Sequence, residues 1–430
     1  MNRWKCILSL ILLVSTFCAT AHAASVFLVK EGVPFDAAAQ TVADSRAIVL
    51  TFAEERVVVC DQPLELPGAQ WIASDVSPAQ LFIVRDWRPM SERSGYETLY
   101  SHSSFGLAVV KDPEQLAAME QVRLRPVTAS MVILRKPKPD KAVPDPAVKE
   151  VLNMLSAKQY RQYLNSLTKS QPTRYTCANN QPDVRDSISN FFTQIGLAPN
   201  LMEFTNKCRS SCRLEKGFNV IAVKKGSVRP QEYYLVGAHY DSISKDPCVK
   251  APGANDNASG TAGILELARV FSKLNTEASL IFVAFGGEEE GLLGSKKYVQ
   301  TLVGSGLDES IKAFVVLDMI SYYKKIKGII IEGSDKESRQ SEVLDTLARC
   351  AETYTNLRFV ISTDYGYSDH EPFLDNGMAG ALFIEADWGK YRHYHTKKDL
   401  PAHQNIPFGL EVVKLAAALL AQEAGLLPAQ

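Results

Sequence analysis

The stretch Leu280–Ser295, LIFVAFGGEEEGLLGS, constrains the fold more than any other part of the chain. Leu280 to Phe285 is a short apolar run, cut off by Gly286 and Gly287. Such a run, bounded by glycines, reads as a strand buried on both faces. Strands of that kind belong to sheets covered by helices, so the run argues for an α/β architecture. Three carboxylates follow at once, Glu288, Glu289 and Glu290. Carboxylates just past a buried strand lie at the carboxyl edge of a sheet, where open α/β folds place their ligands. Three adjacent like charges repel, and either solvent or a cation must relieve them. The triplet alone reads as a solvated acidic turn, and the rest of the chain has to decide.

At 430 residues the chain suggests two domains. A net charge of −1 gives no electrostatic case for a nucleic-acid partner or an anionic membrane. Residues 1–23 read as a secretory signal: Arg3 and Lys5, an apolar run from Cys6 to Cys18, and Ala21-His22-Ala23 as a small-x-small cleavage site. Removing Arg3 and Lys5 leaves 45 basic against 48 acidic groups. No later segment reads as a membrane anchor. The expected location is secreted, extracellular or periplasmic. Six of the eight cysteines follow the signal, an even number that permits disulfides in an exported chain. Cys177, Cys208 and Cys212 are the expected source of one bridge.

From residue 24 to 135 the pattern is a series of short strands: Ser25–Val29, Ala47–Phe52, Arg56–Cys60, Leu81–Val84, Gly106–Lys111 and Ser130–Leu134. This predicts a small β-rich or α+β domain, a propeptide or accessory unit with no ligand cluster of its own. Residues 136–146 hold four prolines among charged residues and read as an extended linker. Beyond it, 147–430 alternates strand and helix. One helix is expected over Ala147–Thr168 and another over about Gln181–Ile195. Strands are expected at Asn219–Val223, Tyr233–Gly237, Leu280–Phe285, Ala313–Leu317, Gly328–Ile331 and Ala379–Ile384. That alternation predicts a mixed, mostly parallel sheet flanked by helices.

Polar clusters collect at the ends of those strands. Tyr233–Gly237 leads to His239-x-Asp241, a spacing that lets a carboxylate orient a metal-binding imidazole. Asp256 sits in a glycine-bounded turn, Gly253-Ala-Asn-Asp256-Asn-Ala-Ser-Gly260, ahead of a helix. Asp318 ends an apolar strand, where aspartate is otherwise disfavoured. His395 lies in His393-Tyr-His395-Thr-Lys-Lys-Asp399. Each cluster alone reads as a satisfied turn. Together, two histidines and three carboxylates at one sheet edge make an N/O ligand set for a pair of zinc-like ions. Such a pair needs a bridging carboxylate and a further, unligated carboxylate as base. Glu288 and Glu289 supply a base and a ligand from adjacent positions.

These motifs, with Glu288-Glu289-x-Gly291-Leu292-x-Gly294-Ser295, Leu317-Asp318-Met319 and His395-Thr396-x-x-Asp399, resemble the M28 family of di-zinc aminopeptidases, the bacterial leucyl aminopeptidase type. The resemblance runs from about Ala147 to the carboxyl end. It implies a zinc-peptidase-like α/β fold and two zinc ions per chain. Asp256 would bridge them, with His239 and Asp318 on one and Glu289 and His395 on the other. Glu288 would be the general base, Asp241 would orient His239, and Tyr365 would stabilise the oxyanion. The resemblance further implies peptide substrates cleaved at the first bond by a zinc-bridging hydroxide. Met319, Tyr322, Phe373, Trp388 and Tyr391 are candidates for an apolar, leucine-like side-chain pocket. The chain is expected to act as a monomer.

Three alternatives stay open. A glutaminyl cyclase carries a single zinc on the same fold, but here the Glu pair runs directly into Gly-Leu-Leu-Gly-Ser. A carboxypeptidase or dipeptidase would need a cation for the substrate carboxylate, for which Arg392 or Lys390 could serve. A binding module on an inactive peptidase fold would not need every ligand and base position.

Overall fold

The computed structural model describes residues 24–30, 47–53, 55–60, 68–86, 88, 92–102, 105–119, 122–127, 131–134, 142–208 and 210–428. The expected signal at 1–23 and most of the expected linker lie outside them. Two compact units emerge: Met1–Asp86 with Ser94–Ile133, and Trp87–Arg93 with Leu134–Gln430.

The first unit is built from β1 (Ala24–Val29), β2 (Ile48–Phe52), β3 (Glu55–Cys60), β4 (Ala69–Val76), β5 (Leu81–Asp86), β6 (Tyr96–His102), β7 (Phe105–Val110), β8 (Val122–Pro126) and β9 (Met131–Leu134). They form two sheets, in the orders β4-β1-β3-β2-β9 and β6-β7-β5-β8. A short helix, Pro113–Ala117, starts where the Asp112 side chain accepts from the Gln115 amide. The sequence reading missed β4, β6 and β8. In β4 the hydrophobic signal is weak, because only Val76 is buried and Trp71 is exposed at a sheet edge. The arginines of β8 break any apolar run.

The second unit is organised on β10 (Pro199–Thr205), β11 (Lys216–Lys224), β12 (Arg229–His239), β13 (Asn275–Thr276), β14 (Ala278–Phe285), β15 (Ile311–Leu317), β16 (Gly328–Gly333), β17 (Arg358–Ser362), β18 (Gly380–Glu385) and β19 (Leu426–Leu427). Eight of these make one sheet, ordered β10-β11-β14-β12-β15-β18-β16-β17. Its centre, β14-β12-β15-β18, is parallel. β11 joins antiparallel on one side and β16 on the other. This is the mixed α/β sheet that the alternating pattern predicts. All eight residues of β14 are buried, and burying each of its large apolar side chains contributes about 1.5–3 kcal/mol.

Helices Gly260–Phe271 and Ile406–Glu423 contribute most of their residues to one core with the sheet. The single helix expected over Ala147–Thr168 is two, Pro146–Asn153 and Ala157–Lys169. The break comes at Ser156, whose hydroxyl caps the second helix by accepting from Gln159 N at 3.3 Å. Its own amide donates to the buried Glu266. Asp145, counted as linker in the sequence, is the N-cap of the first of these helices.

Candidate metal centre and its comparison with known proteins

The parallel core explains where the site lies. His239 is the last residue of β12, Asp318 directly follows β15, and Glu288 comes three residues after β14. β14 and β15 flank β12, so their carboxyl ends converge. Asp256 and His395 arrive differently from the strand-end expectation. Asp256 sits in the turn before the helix Gly260–Phe271, and His395 lies ten residues beyond β18.

The structure brings the five expected ligands together. The ligand atoms of His239, Asp256 and Glu289 lie within 4.8 Å of one another, as do those of His239, Glu288 and Asp318. Asp256 is shared between the two histidines. Its Oδ1 lies 3.3 Å from His239 Nε2, and its Oδ2 lies 3.1 Å from His395 Nε2. Asp318 Oδ1 is 3.4 Å from the same His239 nitrogen, and Glu289 Oε2 is 3.1 Å from the same His395 nitrogen. The cluster is therefore two-sided about one carboxylate, as the chemistry of a bridged ion pair requires.

Electrostatics also point to a cation. Burial pushes the Glu288 carboxyl well above its ordinary range, with Glu289, Asp318 and Asp369 adding to it and His239 opposing. Burial puts Glu289 at about 7, opposed by His395 and reinforced by Asp256. Burial would also raise Asp256, but bonds to His239 and His395 hold it well below the carboxylate range. Burial would lower the His395 imidazole, yet Glu289 and Asp256 outweigh it and push it up to about 10. Glu289 Oε1 is buried without a hydrogen-bond partner among the described residues, an orphaned acceptor that a metal ion would satisfy. An N/O donor set of two imidazoles and several carboxylates fits zinc.

Asp241 is at the site, but its expected task is only part of what it does. Its Oδ1 lies 3.6 Å from His239 Nδ1, farther than its own main-chain carbonyl at 3.3 Å. The carboxylate instead accepts the backbone amides of Glu288 and Glu289, at 3.2 and 3.3 Å. The second sheet contact of the Glu turn is Asn219, buried on β11. Its side chain accepts from Gly286 N at 3.1 Å and donates to Gly294 O at 2.8 Å, closing the glycine loop at both ends. A Cβ on Gly294 would come within 2.1 Å of that amide oxygen, so only glycine fits. Glu290, which the sequence left without a role, is buried and accepts from the Tyr175 hydroxyl.

The Tyr365 hydroxyl donates to Asp375 Oδ1 at 3.2 Å and receives Lys336 Nζ at 3.4 Å. Another tyrosine, passed over in the sequence, faces the ligands. The Tyr394 ring stacks on His395 with centroids 3.8 Å apart. Burial raises its phenol well above the ordinary value, and Asp256, Glu289, Glu288 and Asp318 all add to the rise. Its position beside His395 was the available signal. Among the pocket candidates, Phe373 is core, 4.7 Å from the Phe314 ring, and Tyr391 is buried with its hydroxyl on Asp399. Ser368 was also missed, and it donates to Asp318 Oδ2 at 2.8 Å.

Two disulfides stand beside this site, Cys177–Cys208 and Cys212–Cys248. The first lies within the expected trio. Cys60 and Cys350 are buried and belong to neither of these two disulfides.

Comparison with known proteins agrees with this geometry. The pattern of peptidase family M28 matches residues 219–419. A probable zinc metalloprotease of Pyrenophora tritici-repentis is 32% identical over 200 residues, 39% of this chain and 45% of that protein. Aminopeptidase YwaD of Bacillus subtilis is 35% identical over 193 residues, 43% of this chain and 40% of its own. The chain thus spans less than half the length of these two relatives. A probable leucine aminopeptidase of Trichophyton verrucosum is 30% identical over 313 residues, 69% of this chain and 78% of its own. Among solved structures, the Legionella pneumophila LapA aminopeptidase superposes with a TM-score of 0.56 at 18% identity, over 81% of this chain and 99% of that one. A Porphyromonas gingivalis glutaminyl cyclase gives 0.50 at 17% identity, over 63% and 99%. Likeness at such low identity establishes a shared fold and leaves the chemistry to the site. With its ligand cluster on that fold and a relative matched over most of its length, this chain belongs to peptidase family M28.

Proposed function

We propose that the chain is an exported zinc aminopeptidase that hydrolyses the first peptide bond of peptides, with a preference for apolar, leucine-like first residues. The observation that carries this is the division of Asp256 between His239 and His395, one oxygen to each. In this reading Asp256 would be shared by two zinc ions, with His239 and Asp318 holding one and Glu289 and His395 the other. When bound, the zinc pair would supply an activated water near neutral pH and a Lewis acid for the scissile carbonyl.

The chain's own residues do the rest. Glu288, its basicity raised by burial, takes the proton of the attacking water and returns it to the leaving amine. Asp241 holds Glu288 and Glu289 in register through their amides, so base and ligand keep a fixed separation. Tyr394, whose ring stacks on His395, is the candidate to donate to the developing oxyanion, and Tyr365 is the alternative donor. Export is supported by the pattern of residues 1–23 and by two disulfides. Among the described residues no helix is long and apolar enough to cross a membrane. Residues 24–135 are assigned as an accessory or propeptide unit, and the chain is assigned as a monomer.

The test is direct. Metal-replete protein should release free amino acid from a leucyl anilide and should not cyclise an amino-terminal glutaminyl peptide. Cyclisation without hydrolysis, with one zinc per chain, would replace this reading by the cyclase one. Two zincs with activity on neither substrate would favour a binding module.

A further inference from the structure

The turn that carries Asp256 is gripped by two buried side chains of opposite charge. Arg174 is fully buried. Its Nη1 donates to Pro252 O at 2.5 Å and its Nη2 to Gly253 O at 2.9 Å. Its Nε reaches Tyr240 O at 2.8 Å, the carbonyl just before Asp241. On the other side stands Asp399, 1% exposed. Its main-chain oxygen accepts from Ala254 N at 3.1 Å. Its carboxylate accepts from Asn255 N at 2.9 Å and from Asp256 N at 3.0 Å. Thus the carbonyls of residues 252 and 253 point to a cation, and the amides of 254, 255 and 256 point to one aspartate. Gly253 makes the reversal, with φ of 49° and no room for a Cβ beside Asp256 O at 2.3 Å.

The chemistry of the two residues suits this use. A guanidinium carries five donors in a rigid fork spread over three nitrogens and so reaches carbonyls too widely spaced for the three donors on one ammonium nitrogen. The side-chain partners of Asp399 are donors too: Tyr391 hydroxyl at 2.6 Å and Gln404 Nε2 at 3.3 Å join the amides. Only an ionised, acceptor-only carboxylate satisfies all of them. Burying a charge is costly unless its hydrogen bonds are met, and here the turn's own backbone supplies two partners to each residue. Asp399 is also four residues from His395, which fixes the second histidine relative to the turn it must meet.

We propose that Arg174 and Asp399 are a pair of positioning residues that preform the Asp256 turn, so that its carboxylate stands ready between His239 and His395 before any metal arrives. The proposal rests on the two-metal reading above, and its test separates the two. Backbone amide exchange is measured on the full wild-type chain, metal-free and zinc-loaded. The amides of Ala254, Asn255 and Asp256 should be protected to the same degree in both. Protection that appears only with zinc would overturn the proposal, because metal rather than the pair would then order the turn. A wild-type chain that binds no zinc would sink the two-metal reading and leave the exchange result standing.

Variants give the second arm. Asp399→Asn keeps the shape but offers one acceptor where two are used. Arg174→Lys keeps the charge but loses the fork. Each should weaken zinc affinity about 10–100-fold by equilibrium dialysis and change the visible spectrum of the cobalt-substituted protein. Wild-type affinity with an unchanged cobalt spectrum in either folded variant would overturn the proposal. If neither variant folds, the exchange measurement on the wild-type chain decides.

Discussion

The Asp241 carboxylate receives the Glu288 amide at 3.2 Å, which ties the loop after β12 to the acidic turn after β14. Two neighbouring parallel strands thereby present their site residues as one unit. Asp241→Ala should disturb the Glu turn more than the imidazole. We expect turnover to fall about 10–100-fold while the fold persists. Steady-state kinetics with zinc analysis checks this, and a variant with normal kcat would refute the assigned task.

Glu288→Gln should retain both zincs and lose about 10²–10⁴-fold in kcat, the usual worth of a positioned general base. Its nearness to His239 and Asp318 makes the metal count decisive. Loss of a metal in this variant would recast Glu288 as a ligand. Asp256→Ala, by contrast, should lose metal outright.

Zinc uptake should release protons and strengthen as pH rises. In the metal-free protein burial would lower the His395 imidazole, but Glu289 and Asp256 outweigh it and push it up to about 10, well above the ordinary value of about 6.5. Its imidazolium therefore contributes stability that is fully present below its unfolded value and is lost as pH rises through about 10. A metal has to displace that proton, so a fall in pH opposes binding. Calorimetric zinc titrations in buffers of different ionisation enthalpy, between about pH 6 and about pH 8, should show proton release and rising affinity. Affinity independent of pH would contradict the protonated metal-free site.

Tyr394→Phe and Tyr365→Phe distinguish the two tyrosines. Removing one oxyanion donor typically costs about 10²–10³ in kcat. We expect a loss toward that size for Tyr394, with KM little changed, and a smaller effect for Tyr365, whose hydroxyl is engaged by Asp375. The reverse order would restore Tyr365 to the role that the sequence resemblance implies.

Cys212→Ser with Cys248→Ser should lower stability by about 3–4 kcal/mol, the loop entropy expected for a link spanning 36 residues. Thermal unfolding checks it, and an unchanged Tm would show that the loop after Asp241 is held by its other contacts.

The sheet and the residues that gather at its edge were legible because each left a strong local mark. The apolar run of β14 ends abruptly at two glycines, and an aspartate directly follows β15. What the sequence could not show are groups whose meaning depends on distant backbone. Arg174 looks like any surface arginine until the fold brings residues 252 and 253 to it. Asn219 sits inside a strand, and nothing nearby announces that it closes the loop from Gly286 to Gly294. For Tyr365 the sequence supplied a position along the chain but not the partner of its hydroxyl, which is Asp375. The edge strand β10 escaped because it exposes most of its residues, and the edge strand β17 because its apolar run, Phe359 to Ile361, is only three residues long.

The two histidines on Asp256 are anchored unequally. His239 ends a strand paired on both sides and its side chain is 1% exposed, while His395 rides a loop and its side chain is 12% exposed. Loops open by local fluctuation far more often than central strands do. On the two-zinc reading, the half of the site beside His395 should accordingly be the more labile of the two. A chain in a zinc-poor medium would keep the ion on the His239 side and give up the one beside His395 first, a gradation in occupancy that follows from where each imidazole is rooted.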